Sequence, residues 1–344
     1  MREADLIAKL TAHLSGRHPL LVTGIGDDAA VWEWNPQTYG LISTDTLHEH
    51  WDFDRVYHPA KYIGYKAATS ALSDICAMNG EPLFLVVALG VPRYVSPAYL
   101  EALYDGLRQV EEKYGVAVIG GDISPARDLW LTVTVVGQVE KARITYRRGA
   151  QPTHLVCVTG DLGGAYAGLK ILQREKAVFL QNPSIQPDIS GFNYIVSRQL
   201  KPEARLDMVR RLRELGVQPS SMTDLSDGLA AGLHHLSTAS QAAFHIYLDR
   251  LPFHEQTYKV AQLLDMPLSA LLLYGGEEYE LLFTAPVTAY ERLQQEEQIH
   301  IIGFVKEGEG VWAEDSLGQV ERVELVSWDS LLGRKDQPQA EGSS

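Results

Sequence analysis

The chain has 344 residues, 45% of them hydrophobic and 22% charged, with 44 acidic against 30 basic side chains and a formal net charge of −14. That length predicts about two domains, and that composition a packed globular protein. The acidic balance argues against a nucleic-acid or anionic-membrane partner, because each polyanion needs a basic footprint. It leaves room for a nucleotide whose phosphates are joined to carboxylates by metal ions.

In chain order, residues 3–15 predict a short amphipathic helix rather than a signal peptide. Residues 41–43 predict a short strand leading into Thr44-Asp45. Pro59 opens a helix that runs to about Met78 and stops at Asn79-Gly80. Residues 83–91 are nearly continuous in apolar side chains and predict a buried strand. Residues 97–114 predict a helix, amphipathic through Leu100, Leu103, Leu107 and Val110. A short buried strand over 116–119 is expected to end at Gly120-Gly121-Asp122, and residues 130–139 alternate as a further strand. Residues 147–153 predict a domain junction, dividing the chain into units 1–150 and 151–334. After it come a strand over 154–159, a glycine-rich turn, a helix over 163–174, an irregular stretch over 175–200 and a helix over 203–215. Another helix follows Ser226-Asp227, and strands are expected near 244–248, 280–285 and 299–305, with a disordered tail over 335–344. The mixture predicts two α/β or α+β domains. No apolar run approaches the ~20 residues of a membrane span. Cys76 and Cys157 form neither a disulfide framework nor a cysteine metal site, so a reducing cytoplasm is expected.

Five segments place aspartates at the ends of apolar runs, beside Gly or Ser: Gly24–Asp28, Ser43-Thr44-Asp45, Leu72-Ser73-Asp74, Gly120-Gly121-Asp122 and Asp224–Gly228. Converging carboxylates of this kind form an oxygen-rich pocket, which suits Mg²⁺ and the phosphates it accompanies. Each motif also has a plainer reading. Gly24–Asp28 reads equally as a tight turn with solvated caps, and Ser43-Thr44-Asp45 as an Asx or N-cap turn. Asp74 is more pointed, because a carboxylate late in an apolar helix opposes the negative end of the helix dipole unless a cation or donor offsets it. Gly121 with its neighbour Gly120 allows close backbone approach, and Asp224–Gly228 precedes a helix whose N-terminus is an anion site. The pair Glu277-Glu278 reads as a selector for a cationic ligand or as a solvated turn. No P-loop sequence occurs, and the histidines lack the partners for a zinc site.

In this order and spacing, these motifs resemble the thiamine-monophosphate kinase family, of the aminoimidazole-ribonucleotide-synthetase-like superfamily. Tyr65-Lys66-Ala67, Arg147-Arg148-Gly149-Ala150, Thr159–Gly163 and Gly275-Gly276-Glu277 complete the set, which covers roughly residues 3 to 330. The resemblance implies two α/β domains, a homodimer formed by the N-terminal domains, and transfer of the γ-phosphoryl of ATP to thiamine monophosphate. That reaction is the last step of thiamine diphosphate biosynthesis. It implies several Mg²⁺ ions on Asp27, Ser43, Thr44, Asp45, Asp74, Asp122, Asp224 and Asp227. ATP would meet Tyr104, Gly121, Asp122, Arg147 and Ser226, while Asp52, Glu277 and Trp328 would lie at the substrate. Asp52-Phe53 stands where the family usually carries His-Phe, with His48 and His50 nearby, which bears on substrate contact more than on the metal cluster. Metal-assisted transfer needs no dedicated base, because a phosphate monoester is already largely ionised near neutral pH.

Overall fold

A computed structural model describes residues 3–14 and 16–325. Trp328 and the expected tail over 335–344 lie outside the described residues.

Beyond a first helix α1 (Glu3–Thr11), the N-terminal half is one six-stranded sheet and two helices. Its elements are β1 (Leu21–Thr23), β2 (Ala30–Glu33), β3 (Thr38–His48), α2 (Ala60–Ala77), β4 (Glu81–Val91), α3 (Pro97–Tyr114), β5 (Ala117–Pro125) and β6 (Trp130–Glu140). The sheet order is β1-β2-β3-β6-β4-β5, antiparallel throughout except for the parallel pair β4–β5. α3 is framed as its sequence dictates: Ser96 caps the N-terminus by accepting from the Tyr99 amide, Pro97 opens the first turn, and Gly115 takes the left-handed C-cap.

Alternation along the strands decides which face is covered. Leu41, Leu85, Val87, Leu89, Leu131, Val133 and Val135 all point to the side carrying α2, and all are buried. The opposite face leaves Ile42, Phe84 and Val86 exposed. This corrects two expectations. β4 is not buried on both faces, and β5 is a solvent-facing edge strand that continues through Gly120-Gly121-Asp122 to Pro125. Apolar content signalled the strands correctly, but among the described residues nothing covers their outer side.

The C-terminal half comprises β7 (Leu155–Thr159), α4 (Gly164–Gln181), α5 (Asn193–Leu200), α6 (Leu206–Glu214), β8 (Ser221–Asp224), α7 (Leu229–Ser240), β9 (Ala243–Tyr247), α8 (Glu255–Leu263), α9 (Leu268–Tyr274), β10 (Leu281–Ala285), α10 (Tyr290–Leu293), β11 (Ile299–Lys306), β12 (Val311–Glu314) and β13 (Val320–Arg322). They build a seven-stranded sheet in the order β13-β12-β9-β11-β7-β10-β8. The stretch over 175–200 is thus more regular than expected. α4 runs on to Gln181, and α5 packs Ile195, Val196 and Leu200 against Ala167, Ile171 and Leu172 of α4.

The central strands of the second sheet are buried on both faces. Leu155, Cys157, Leu281 and Phe283 face the core that also contains α2 and α6, while Val156, Val158 and Leu282 face α7. One apolar core therefore runs across the 147–153 junction, with α2 between the two halves. At roughly 1.5–3 kcal/mol per buried aliphatic side chain, this shared core fixes the halves against each other. Cys76 and Cys157 lie within it with no exposed surface, and burial pushes both thiols up from their ordinary range. Among the described residues no helix is long and apolar enough to cross a membrane.

Candidate active site

α2 is buried over 15 of its 18 residues, so its polar side chains must find partners at the seam. Lys66, Ser70, Ser73 and Asp74 follow the spacing i, i+4, i+7 and i+8, which forms one stripe along a helix. Lys66 Nζ lies 2.5 Å from Glu277 Oε1 and donates to the Asp52 carbonyl at 3.3 Å. Ser70 bonds Asp45. Ser73 Oγ donates to Asp224 Oδ2 at 2.7 Å, and Asp74 accepts from Ser43 Oγ at 2.5 Å.

At the C-terminal end of this stripe, Asp28, Asp74 and Asp224 each offer an oxygen, and the three oxygens lie within 4.8 Å of one another. The carboxylates arrive from three places: the turn before β2, the last turns of α2, and the end of β8. Arg147 reaches Asp28 Oδ1 from Nη2 at 2.6 Å and from Nε at 3.2 Å, and Thr223 Oγ1 donates to the same oxygen at 2.9 Å. Asp28 Oδ2 is buried with no partner. Among the described residues Arg147 is the one basic side chain in ion-pair contact with the triad. Burial, and then the neighbouring Asp45, Asp224 and Asp28, push Asp74 well above the usual carboxylate range. Burial and Asp28 raise Asp224 to about 7 and Asp27 to about 6. Three crowded carboxylates, one guanidinium and an orphaned buried oxygen form a donor set suited to a hard divalent cation.

The carboxylates continue away from the triad. Asp45 is raised first by burial and then by Asp52 and Asp227, and Asp52 first by burial and then by Glu277. The line ends in a cavity of about 300 Å³ lined by His50, Trp51, Asp52, Tyr57, Gln199 and Glu277, among others. Gln199 Nε2 donates to Glu277 Oε2 at 2.7 Å. The backbone also ties the two ends of the site together. The Glu277 amide donates to Ser226 O at 2.6 Å, and a Cβ at Gly276 would lie 2.8 Å from that carbonyl. Glu277 itself sits at φ 62, a left-handed conformation unusual for a side-chain-bearing residue. The loop carrying Glu277 therefore rests directly on the loop that follows Asp224.

Most of the aspartate motifs converge, with shifts of detail. Asp28, rather than Asp27, enters the triad, while Asp27 accepts from the backbone amides of Asp28 and Arg147. Ser43 and Asp45 face the seam, but Thr44 points to the other face of β3 and bonds Thr134 at 3.1 Å. Asp122 lies on the exposed edge strand in register with Ala88 and accepts from Ser124 at 3.0 Å. Its neighbour Gly121 packs so closely that a Cβ would sit 1.9 Å from Val87 O. Tyr104 is 39% exposed on α3. Among the described residues, no hydrogen bond or ion pair joins Thr44, Tyr104, Gly121 or Asp122 to the triad. Ser226 and Asp227 are exposed in the loop before α7, and the Asp52 carboxylate is turned inward to the His48 amide at 2.7 Å. Sequence reasoning missed Asp28, Ser73, Thr223 and Gln199, and gave Lys66 no role. The last carried a signal, since a base in the interior of an apolar helix demands a buried acid.

A second cavity, of about 550 Å³, contains none of the triad residues. It borders a buried ion network in which Arg198 binds Glu278 at 2.8 Å and Glu280 at 2.7 Å, and Arg205 pairs with Glu280. The Thr159–Gly163 motif serves this network, with Thr159 Oγ1 donating to Glu280 Oε2 at 2.6 Å.

Residues 26–139 match the family described as AIR synthase related protein, N-terminal domain. The chain is 35% identical to the thiamine-monophosphate kinase of Bacillus subtilis (strain 168) over 313 residues, which is 89% of this chain and 92% of that one. It is 32% identical to the thiamine-monophosphate kinase of Aquifex aeolicus (strain VF5) over 304 residues, 88% of this chain and 92% of that one. A solved structure described as AaThiL complexed with AMPPCP and TMP superposes with a TM-score of 0.80 at 30% identity, covering 95% of this chain and 98% of the other.

Proposed function

The chain belongs to the thiamine-monophosphate kinase family, and from that premise we propose how its seam carries out the reaction. It is an ATP-dependent phosphotransferase that forms thiamine diphosphate and ADP from thiamine monophosphate. The observation that carries the mechanistic reading is the unbroken line of carboxylates from Asp28, Asp74 and Asp224, through Asp45, to the cavity holding Asp52 and Glu277.

Both substrates are phosphate anions, so bringing them together opposes Coulomb repulsion. Mg²⁺ held by Asp28, Asp74 and Asp224, with Ser43 and Asp45 beside them, would supply the charge neutralisation. The chain's own residues position the reactants. Arg147 stands at the triad, where its guanidinium serves the polyphosphate. Ser226 lies in the loop at the N-terminus of α7, a natural anion site. At the far end, Asp52, Asp54 and Glu277 outnumber Lys66 and Lys176, and this acidic excess suits the cationic thiazolium. The monophosphate oxygen attacks the γ-phosphorus in line, already ionised and without a dedicated base.

The further parts of this reading concern assembly. The uncovered apolar face of the first sheet supports a homodimer through the N-terminal halves. Asp122 and Gly121 lie on an edge strand of that sheet, and they join the nucleotide and metal site on this reading, as do Tyr104, Thr44, Asp27 and Asp227. A division at 147–153 and a cytoplasmic location, where ATP is at hand, complete it.

The test is thiamine diphosphate formation from purified protein, ATP and Mg²⁺, with thiamine and an aminoimidazole-pathway substrate as controls. Product from the monophosphate alone is expected. Product from either control instead would overturn the acceptor assignment. Glu277→Ala should raise KM for thiamine monophosphate about ten-fold, the equivalent of ~1.4 kcal/mol, and an unchanged KM would reject its substrate role.

A further inference from the structure

Each carboxylate of the triad accepts one hydroxyl hydrogen bond, and the three bonds form a pattern. Ser43 Oγ donates to Asp74, Ser73 Oγ to Asp224 and Thr223 Oγ1 to Asp28. Ser73 directly precedes Asp74, and Thr223 directly precedes Asp224. Neighbouring residues on a helix point about 100° apart, and on a strand to opposite faces. The hydroxyl beside one carboxylate therefore cannot serve that carboxylate and turns to another. Ser73, from the first half, holds Asp224 of the second, while Thr223, from the second half, holds Asp28 of the first. Both hydroxyls are buried, at 0% and 1% exposure, so water does not replace them.

We propose that Ser73 and Thr223 are positioning residues for the divalent-cation site, each fixing the rotamer of a carboxylate supplied by the opposite half of the chain. The inference rests on the triad being that site. Without the two hydroxyls, Asp28 and Asp224 retain their charge but lose the donor that engages one oxygen and leaves the other available to a cation. Asp28 shows the result: Oδ1 takes Thr223 and Arg147, and Oδ2 is left buried and unpartnered. Because the two bonds cross the seam in opposite directions, the site reaches its working geometry only when the halves are fully seated.

The experiment is Mn²⁺ binding to the metal-free full chain, read from the electron paramagnetic resonance of free Mn²⁺, with thermal melting of the same metal-free samples. Asp224→Asn marks the site. Thr223→Val and Ser73→Ala should each weaken binding about 10–100-fold, the range for partners that orient metal ligands. Thr223→Ser should return affinity to within about three-fold of the parent, because it restores the hydroxyl. Metal-free melting should change little in Thr223→Val, so that the loss is one of ligand orientation and not of folding. If the parent binds Mn²⁺ and Asp224→Asn does not, yet Thr223→Val and Ser73→Ala bind as the parent does, the positioning role is overturned and the metal site stands. Failure of Thr223→Ser to restore binding also overturns it. If the parent itself fails to bind, or Asp224→Asn binds equally well, the triad assignment falls and this inference with it.

Discussion

The second half of the molecule takes part in two buried acidic clusters that are handled in opposite ways. At Glu278 and Glu280, two carboxylates meet two guanidinium groups, Arg198 and Arg205. Burial raises Glu278 to about 7 despite Arg198, but at Glu280 Arg205 and Arg198 outweigh burial and hold the carboxyl below the usual range. At the seam, three carboxylates share the single guanidinium of Arg147, and burial together with mutual repulsion drives Asp74 far upward. The first cluster closes its charge within the chain and reads as structure. The second leaves its charge open, and such a cluster must either take up protons or be completed by an external cation.

The largest effect expected from breaking this contrast is on turnover. Asp74→Asn should reduce the rate of thiamine diphosphate formation about a thousand-fold, some 4 kcal/mol of transition-state stabilisation. Its metal-free melting temperature should hold or rise, because a carboxyl disfavoured by burial and by its acidic neighbours is replaced by a neutral amide. Steady-state kinetics beside a thermal melt reads both, and a lowered melting temperature would make the triad structural after all. Next in size, Glu280→Gln removes the buried carboxylate that Arg198 and Arg205 share, leaving them only Glu278 and Asp207, and should destabilise the fold by about 3–5 kcal/mol. Urea unfolding measures this, and a loss below about 1 kcal/mol would erase the distinction between the clusters. The smallest effect sharpens the contrast most. Mg²⁺ at about a hundred times its Kd should stabilise the parent by about 2.7 kcal/mol. Glu280→Gln should keep that increment and Asp74→Asn should lose it, as melts with and without metal will show.

Much of this was legible beforehand, for identifiable reasons. Helices with punctuated ends, such as α3 between Ser96-Pro97 and Gly115, follow from local chemistry alone. Asp74 announced itself because a carboxylate within an apolar helix has no local reason to be there. What stayed hidden depends on a second strand or helix. The sequence does not say which of the adjacent Asp27 and Asp28 turns inward, because turn geometry decides it. β8, Ser-Met-Thr-Asp, has no apolar run to mark it, and its buried polar side chains are satisfied by β10 and, across the seam, by Asp28 and Ser73. The outer face of the first sheet looked buried because its residues are apolar, and composition cannot say whether the cover comes from the same chain. Ser73 and Thr223 are ordinary residues until the partner 151 or 195 positions away is in place.

The two thiols enclosed in the shared core leave the described surface chemically silent toward alkylating dyes. A pair of cysteines introduced at exposed positions, one on β5 and one on β13, would then be the only readily reactive ones in the chain. Fluorophores on that pair turn the seating of one half against the other into a distance that can be followed, molecule by molecule, as nucleotide and metal arrive.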